Sequence, residues 1–168
     1  MEQWQDKVYN TVISIVQNEE DAEDITQEVF VTLYERIEQF REEAALSTWL
    51  YRITVSKALD HEKRKRRIKH GGLLKRIFGV KESEEPVHFE HPGILLDNKE
   101  KAALLFNAMK QLPDKQRIAF TLHKIEGLSQ QEIAAVMNTT VYAVESLQQR
   151  ARNNLKKILE VYYRNENS

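Results

Sequence analysis

The residues best suited to specific chemistry lie between Leu128 and Ile158. Tyr142, Glu145, Ser146, Gln149, Arg152, Asn153 and Lys156 share one side of a helix if Val144, Leu147, Ala151, Leu155 and Ile158 turn inward. Gln149 is suited to bidentate pairing with adenine in a DNA major groove, and Glu145 to accepting from cytosine. Arg150, Arg152, Lys156 and Lys157 suit phosphates or guanine. Upstream, Leu128-Ser129-Gln130-Gln131-Glu132-Ile133 has the form of a capping box with a hydrophobic staple, Ser129 and Glu132 satisfying backbone donors reciprocally while Leu128 packs on Ile133. Ala134 permits a close helix crossing, and Asn138 tolerates the positive backbone angle of a tight turn. Together these features predict a helix-turn-helix over roughly residues 128 to 158, in preference to a plain solvated amphipathic helix. Catalytic constellations are lacking: the chain has no Cys, no phosphate-binding Gly loop and no carboxylate pair on a cleft-forming scaffold. It is therefore expected not to be an enzyme and to need no cofactor. His88 and His91 flank Glu90 at a chelating spacing, but Pro92 and the surrounding composition favour ordinary loop histidines, so no metal site is expected.

The elements that position this face are helices. Only 5 Gly and 3 Pro occur in 168 residues, strand-like runs are absent, and helix formers dominate, so an all-α fold is expected. Without Cys there is no disulfide, and the start, Met-Glu-Gln-Trp-Gln-Asp, has acid and amide where an export signal needs positive charge and an apolar run. A soluble, cytoplasmic protein is expected, with no membrane insertion. The net charge of −1 conceals a strong polarity: residues 1–50 carry twelve Asp/Glu against three Lys/Arg, and residues 51–76 carry ten Lys/Arg against two acids. Such neighbours suggest one surface that docks on a basic protein and another that meets phosphates.

Periodicity divides the chain into two small helical domains joined by a flexible linker. In the first, residues 1–67, one helix is expected over 2–17 with Trp4, Val8, Val12 and Ile15 inward and Asn18 ending it. A second begins where Asp21 and Asp24 can cap it and carries Ile25, Val29, Leu33, Ile37 and Phe40 as a stripe. After a polar loop from Arg41 to Ser47, Thr48 can cap a third, with Trp49, Leu50, Ile53 and Leu59 inward and Lys63 to Arg67 at its end. Residues 68–99 hold Gly71, Gly72, Gly79, Pro86, Pro92 and Gly93 and read as the linker, with a short amphipathic turn at Leu73, Leu74, Ile77 and Phe78. The second domain, residues 100–168, opens with a helix from near Asn98 through Gln111, then one with Pro113 in its first turn, closed by Gly127 as a left-handed cap.

The segments Asp21-Ala-Glu-Asp-Ile-Thr-Gln-Glu-Val-Phe30, Ser47-Thr-Trp-Leu-Tyr-Arg-Ile53, Leu112-Pro-Asp-Lys-Gln-Arg117 and Leu128 to Arg152 resemble, in that order, the motifs of extracytoplasmic-function (ECF) sigma factors. These are the small, two-domain sigma subunits of bacterial RNA polymerase. The resemblance implies a first domain that is sigma region 2 and a second that is sigma region 4, a helix-turn-helix of the winged-helix-like DNA-binding type. It implies partners too: core RNA polymerase, promoter DNA and an anti-sigma factor. Asp24, Gln27, Glu28 and Val31 lie at helical spacing away from the Ile25 stripe and by resemblance bind core polymerase, Asp24, Gln27 and Glu28 at the clamp of its largest subunit. The third helix matches the part that reads and melts the minus-ten element, for which Phe40, Arg41, Tyr51, Arg52, Ser56, Lys57, Lys63, Arg64, Arg66 and Arg67 supply base stacking and phosphate binding. Trp49 is expected to pack rather than to separate strands. The minus-thirty-five candidates are Tyr142, Glu145, Ser146, Gln149, Arg150, Arg152 and Lys156.

Ser56 stands where many members carry Asn, and Glu145 and Leu147 where basic residues are common, so an inherited promoter code is not assumed. From the residues alone, a dimeric regulator using the helix-turn-helix on a palindrome and a scaffold joining two proteins through its acidic and basic faces remain open. The Asp24 to Phe30 motif and the basic end of the third helix, for which a free regulator has no use, favour the sigma reading.

Overall fold

The computed structural model describes residues 2–40, 45–71 and 99–166. Arg41, the amphipathic turn at Leu73 to Phe78, the His88 to His91 pair and residues 72–98 of the expected linker lie outside them. No strand occurs among the described residues.

The first unit is three helices, α1 (Glu2–Val16), α2 (Glu19–Arg36) and α3 (Leu46–Gly71). Val8, Val12 and Ile15 bury the inner face of α1, and its buried hydroxyls, Thr11 and Ser14, bond back to the carbonyls of Lys7 and Asn10. Asn18 belongs to the next helix: its side chain accepts from the Asp21 amide at 2.9 Å and caps α2. The expected caps, Asp21 and Asp24, instead fall within the helix, where Asp21 joins Glu19 and Glu20 in a first turn that favours acids. Gln17, between the helices, takes φ 53 although it is neither Gly nor Asn. Ile25 and Val29 are buried as expected, but Ile37 is 45% exposed, because α2 tightens into a 3₁₀ turn, Ile37–Gln39, that rotates it out of the stripe. Likewise Thr48 is not a cap: α3 starts at Leu46, with the Trp49 amide bonded to the Ala45 carbonyl. That helix also runs past Arg67 to Gly71, into the expected linker.

The second unit holds α4 (Lys99–Lys110), α5 (Asp114–Lys124), α6 (Gln130–Met137) and α7 (Val141–Glu166). Pro113 is the residue before α5 rather than its first, with ψ 145. Gly127 has φ 70 and nothing within 4 Å of where a Cβ would stand, so the backbone angle and not crowding selects glycine. The capping box is present at both of its bonds, Glu132 amide to Ser129 Oγ at 3.2 Å and Ser129 amide to Glu132 Oε2 at 2.7 Å. Asn138 turns the chain at φ 52, and the Thr140 hydroxyl accepts from the Ala143 amide as α7 begins.

The two units pack into one apolar core, with Ile13 and Val16 of α1 and Phe106, Ile118 and Leu122 of α4 and α5 among its buried members. Polar groups cross the seam. Buried Arg117 donates to the Ile15 carbonyl at 3.1 Å and pairs with Glu62 at 3.6 Å, and Gln17 Nε2 donates to the Phe106 carbonyl at 2.7 Å. Arg66 grips Asp114 with both ends of its guanidinium, at 2.6 and 3.1 Å. That hydrogen bond, with the nearby positive charges of Arg66 and Arg117, holds the Asp114 carboxyl below the usual carboxylate range.

A depressed carboxylate stabilises the fold above its unfolded pKa and loses that contribution as pH falls through the lower folded value. Asp114→Asn should thus lower the thermal midpoint at neutral pH, with the gap from the unmodified chain closing as pH drops below about 4. A gap unchanged across an acid titration followed by circular dichroism would refute the ion-pair origin. Ser129→Ala should cost about 1 kcal/mol in the same denaturation measurement, through loss of the cap.

Candidate nucleic-acid interface

On α7, a contiguous exposed face is formed. Tyr142 is 79% exposed, Glu145, Gln149, Arg150, Arg152, Asn153 and Lys156 are exposed, and Ser146 is half-buried at the edge. Ala151 and Leu155 turn inward with Val144, and Ile158 packs on the core's edge. Leu147, expected in the core, is only half-buried, and Gln148 takes the inner position at 2% exposure. Positions 144, 148, 151 and 155 follow helical periodicity, but an amide at 148 read as polar surface and concealed the match. Gln148 Oε1 accepts from Gln130 Nε2 at 2.7 Å, linking α7 to the first turn of α6. Both residues line a polar groove of about 420 Å³ with Glu145, Ser146, Gln149 and Arg152. Two amides missed in the sequence therefore brace this groove. Within it, Gln149 Nε2 donates to Asn153 Oδ1 at 3.3 Å, holding its amide along the exposed face.

On α3, Arg52, Ser56, Lys63 and Arg67 lie on one exposed stripe at helical spacing, and Arg64 is exposed beside it. Lys57 sits 3.6 Å from Glu28 of α2. Phe40 and Trp49 stack as a tilted pair with ring centres 5.2 Å apart, and Trp49 packs against the core, as expected of it. Tyr51 is the departure. An exposed base-stacking ring was expected, yet it is 5% exposed and its hydroxyl donates to Glu126 Oε2 at 3.0 Å. Its hydroxyl pKa is raised, first by burial and then by Glu126, and burial likewise raises that of the Glu126 carboxyl. Arg52 is exposed but donates through Nε to the Ala135 carbonyl of α6 at 2.8 Å.

On α2, Asp24, Gln27, Glu28 and Val31 are all exposed, with Val31 at 56% and Tyr34 beside them at 83%. An acidic strip edged by bare apolar side chains suits docking on a basic protein surface better than it suits water. No group of three His, Asp or Glu placed to hold a metal occurs among the described residues, nor a helix long and apolar enough to cross a membrane.

Comparison with known proteins adds the family. Residues 1–68 match the family described as Sigma-70 region 2, and residues 102–155 match Sigma-70, region 4. The RNA polymerase sigma-H factor of Pseudomonas aeruginosa is 32% identical over 94% of this chain and 82% of its own length. The ECF RNA polymerase sigma-E factor of Escherichia coli K12 is also 32% identical, over 79% of this chain and 70% of its own length. Two solved structures share the fold. One is the sigma factor RpoE in complex with the anti-sigma factor NepR from Bartonella quintana, with TM-score 0.67 and 23% identity, covering 95% of this chain and 93% of that one. The other is CnrH in complex with the cytosolic domain of CnrY, with TM-score 0.63 and 24% identity, covering 92% and 80%.

Lys156→Ala should weaken DNA binding alike across sequences and reduce the slope of log affinity against log salt by about one. Gln149→Ala should instead change which bases are preferred, by about 1–3 kcal/mol at one position. Anisotropy titrations over a salt series and a panel of duplexes separate the two; equal losses on every duplex for Gln149→Ala would exclude base reading.

Proposed function

The chain belongs to the ECF RNA polymerase sigma factors, subunits that bind core polymerase and direct it to promoters, and we propose how its surfaces divide that work. Residues 1–67 form the unit that docks on core polymerase and melts the minus-ten element. Residues 100–168 form the unit that reads the minus-thirty-five element, and 68–99 connect them. The carrying observation is the separation of three exposed surfaces: acidic and apolar on α2, basic on α3, amide and basic on α7. Asp24, Gln27, Glu28 and Val31 meet the polymerase. Arg52, Ser56, Lys63, Arg64 and Arg67 hold the phosphates of the separated strand, joined by Arg41, Lys57 and Arg66, while Phe40 offers a ring for base stacking; Tyr51, buried against Glu126, is not on that surface. Gln149 and Glu145 read bases, while Tyr142, Ser146, Arg150, Arg152 and Lys156 fix the register.

Bond making stays with the polymerase, and this chain performs no catalysis of its own. It works in the cytoplasm, where the polymerase is. Control falls to an anti-sigma factor that covers the polymerase-docking faces; bare Val31 and Tyr34 on α2 support that reading, as does the anti-sigma factor NepR bound to the sigma factor RpoE, which shares the fold.

The chain should copurify with core polymerase and permit initiation at a defined promoter in a reconstituted assay. The double variant Asp24→Lys/Glu28→Lys should weaken core association by at least about tenfold, or ~1.4 kcal/mol, while leaving salt-dependent duplex binding intact. No association of the unmodified chain with core enzyme would sink this assignment.

A further inference from the structure

The inner stripe of α7 carries one side chain that packing does not account for. Val144, Ala151 and Leu155 are apolar, yet Gln148 stands among them at 2% exposure with a single bond, its Oε1 accepting from Gln130 Nε2. Gln148 Nε2 and Gln130 Oε1 are both buried without a partner. An unpaired buried donor costs stability that an apolar side chain of similar size would not. Both amides wall the polar groove in which Arg152 also lies.

The groove is built for an anion at one end. Gln130 and Gln131 open the eight-residue helix α6, and their amides have no intrahelical acceptor; the capping box occupies only those of Ser129 and Glu132. Gln130 thus brings the positive end of that helix to the groove. Arg152, exposed, lies one turn beyond Gln148 on the same side of α7. Glu145 is the opposing charge, two turns from Arg152 and about 10 Å from it along the axis, so the groove has an acidic end and a basic end.

We propose that the basic end seats one backbone phosphate of duplex DNA, and that Gln148 binds it through Nε2 from beneath the reading face. This rests on the reading of α7 as the helix that meets DNA. The last torsion of a glutamine is soft, so the Gln148 amide turns to present Nε2 at the groove. The phosphate accepts from it and from the first-turn amides of α6, while Arg152 meets the charge and offers its other donors to Gln130 Oε1. In a helix-turn-helix the helix ahead of the reader crosses the DNA backbone, which is where α6 begins. Because Gln130 and Gln148 join α6 to α7, one phosphate fixes both helices and sets the depth of neighbouring Gln149 against the bases. Neither amide belongs to the exposed face, and their contact is blind to sequence.

The test uses the full chain and a duplex that it selects from a random-sequence library. The duplex is made with one neutral methylphosphonate linkage at each backbone position in turn and titrated by anisotropy. At one linkage the neutral group should cost the unmodified chain about tenfold in affinity. The same linkage should cost Gln148→Leu less than about threefold, because its partner is already missing. The thermal midpoint of Gln148→Leu should hold or rise, since a buried unpaired donor is removed. A purely structural brace would lower the midpoint and leave the linkage costs alike in the two chains; equal costs at every linkage overturn the proposal. If circular dichroism shows Gln148→Leu unfolded, Gln148→Met, which keeps the length and lacks the donor, is scanned and judged by the same comparison. Failure to select any duplex strikes the reading of α7 itself, whereas selection with equal linkage costs strikes only the phosphate seat.

Discussion

Arg117 carries a guanidinium and is 4% exposed. Taking a guanidinium out of water costs several kcal/mol, and the cost is offset only where its donors find well-placed acceptors. Here the acceptors come from both halves of the chain. Nη1 meets the Ile15 carbonyl and Glu62, and Nη2 meets the Leu112 carbonyl and Asp114. Ile15 lies in the last turn of α1, whose unpaired carbonyls carry the negative end of the helix dipole. Any arrangement that separates the units must find new partners for this group, so Arg117 ties the packing of α1 against α5 to the closure of α3 against the second unit.

The charge polarity along the chain also has a partly internal destination. Lys65 pairs with Asp21 at 3.0 Å, His61 lies 3.4 Å from the same carboxylate, and Lys57 approaches Glu28. The acidic run and the basic run that follows it are thus partly each other's partners across α2 and α3. The exposed remainder includes Asp24 and Val31 on one side and Ser56, Lys63 and Arg67 on the other, within the surfaces proposed for polymerase and DNA.

What could be read in the sequence was local. Ser129, Glu132, Asn138 and Gly127 each impose a backbone requirement within a few residues, and all four behave as expected. The family motifs placed the two matched regions in order along the chain. Periodicity shows which side of a helix is buried but not what buries it, and this explains the misplaced residues. Tyr51 is covered by a segment 75 residues away, and Gln148 is an amide on an inner stripe whose partner, Gln130, lies on another helix. Arg117 sits in a recognised motif, yet nothing in Leu112-Pro-Asp-Lys-Gln-Arg117 says that its guanidinium ends beneath α1.

Gln17 shows how far such coupling reaches. An L-residue in the left-handed region gives up roughly 1–2 kcal/mol of backbone energy, and Gln17 does so in a corner where glycine would not. Its side chain, 3% exposed, is met by a carbonyl of Phe106, outside its own unit. In mechanical terms the corner that aims α2 at its partner is a loaded spring, and its catch is in the other half of the chain.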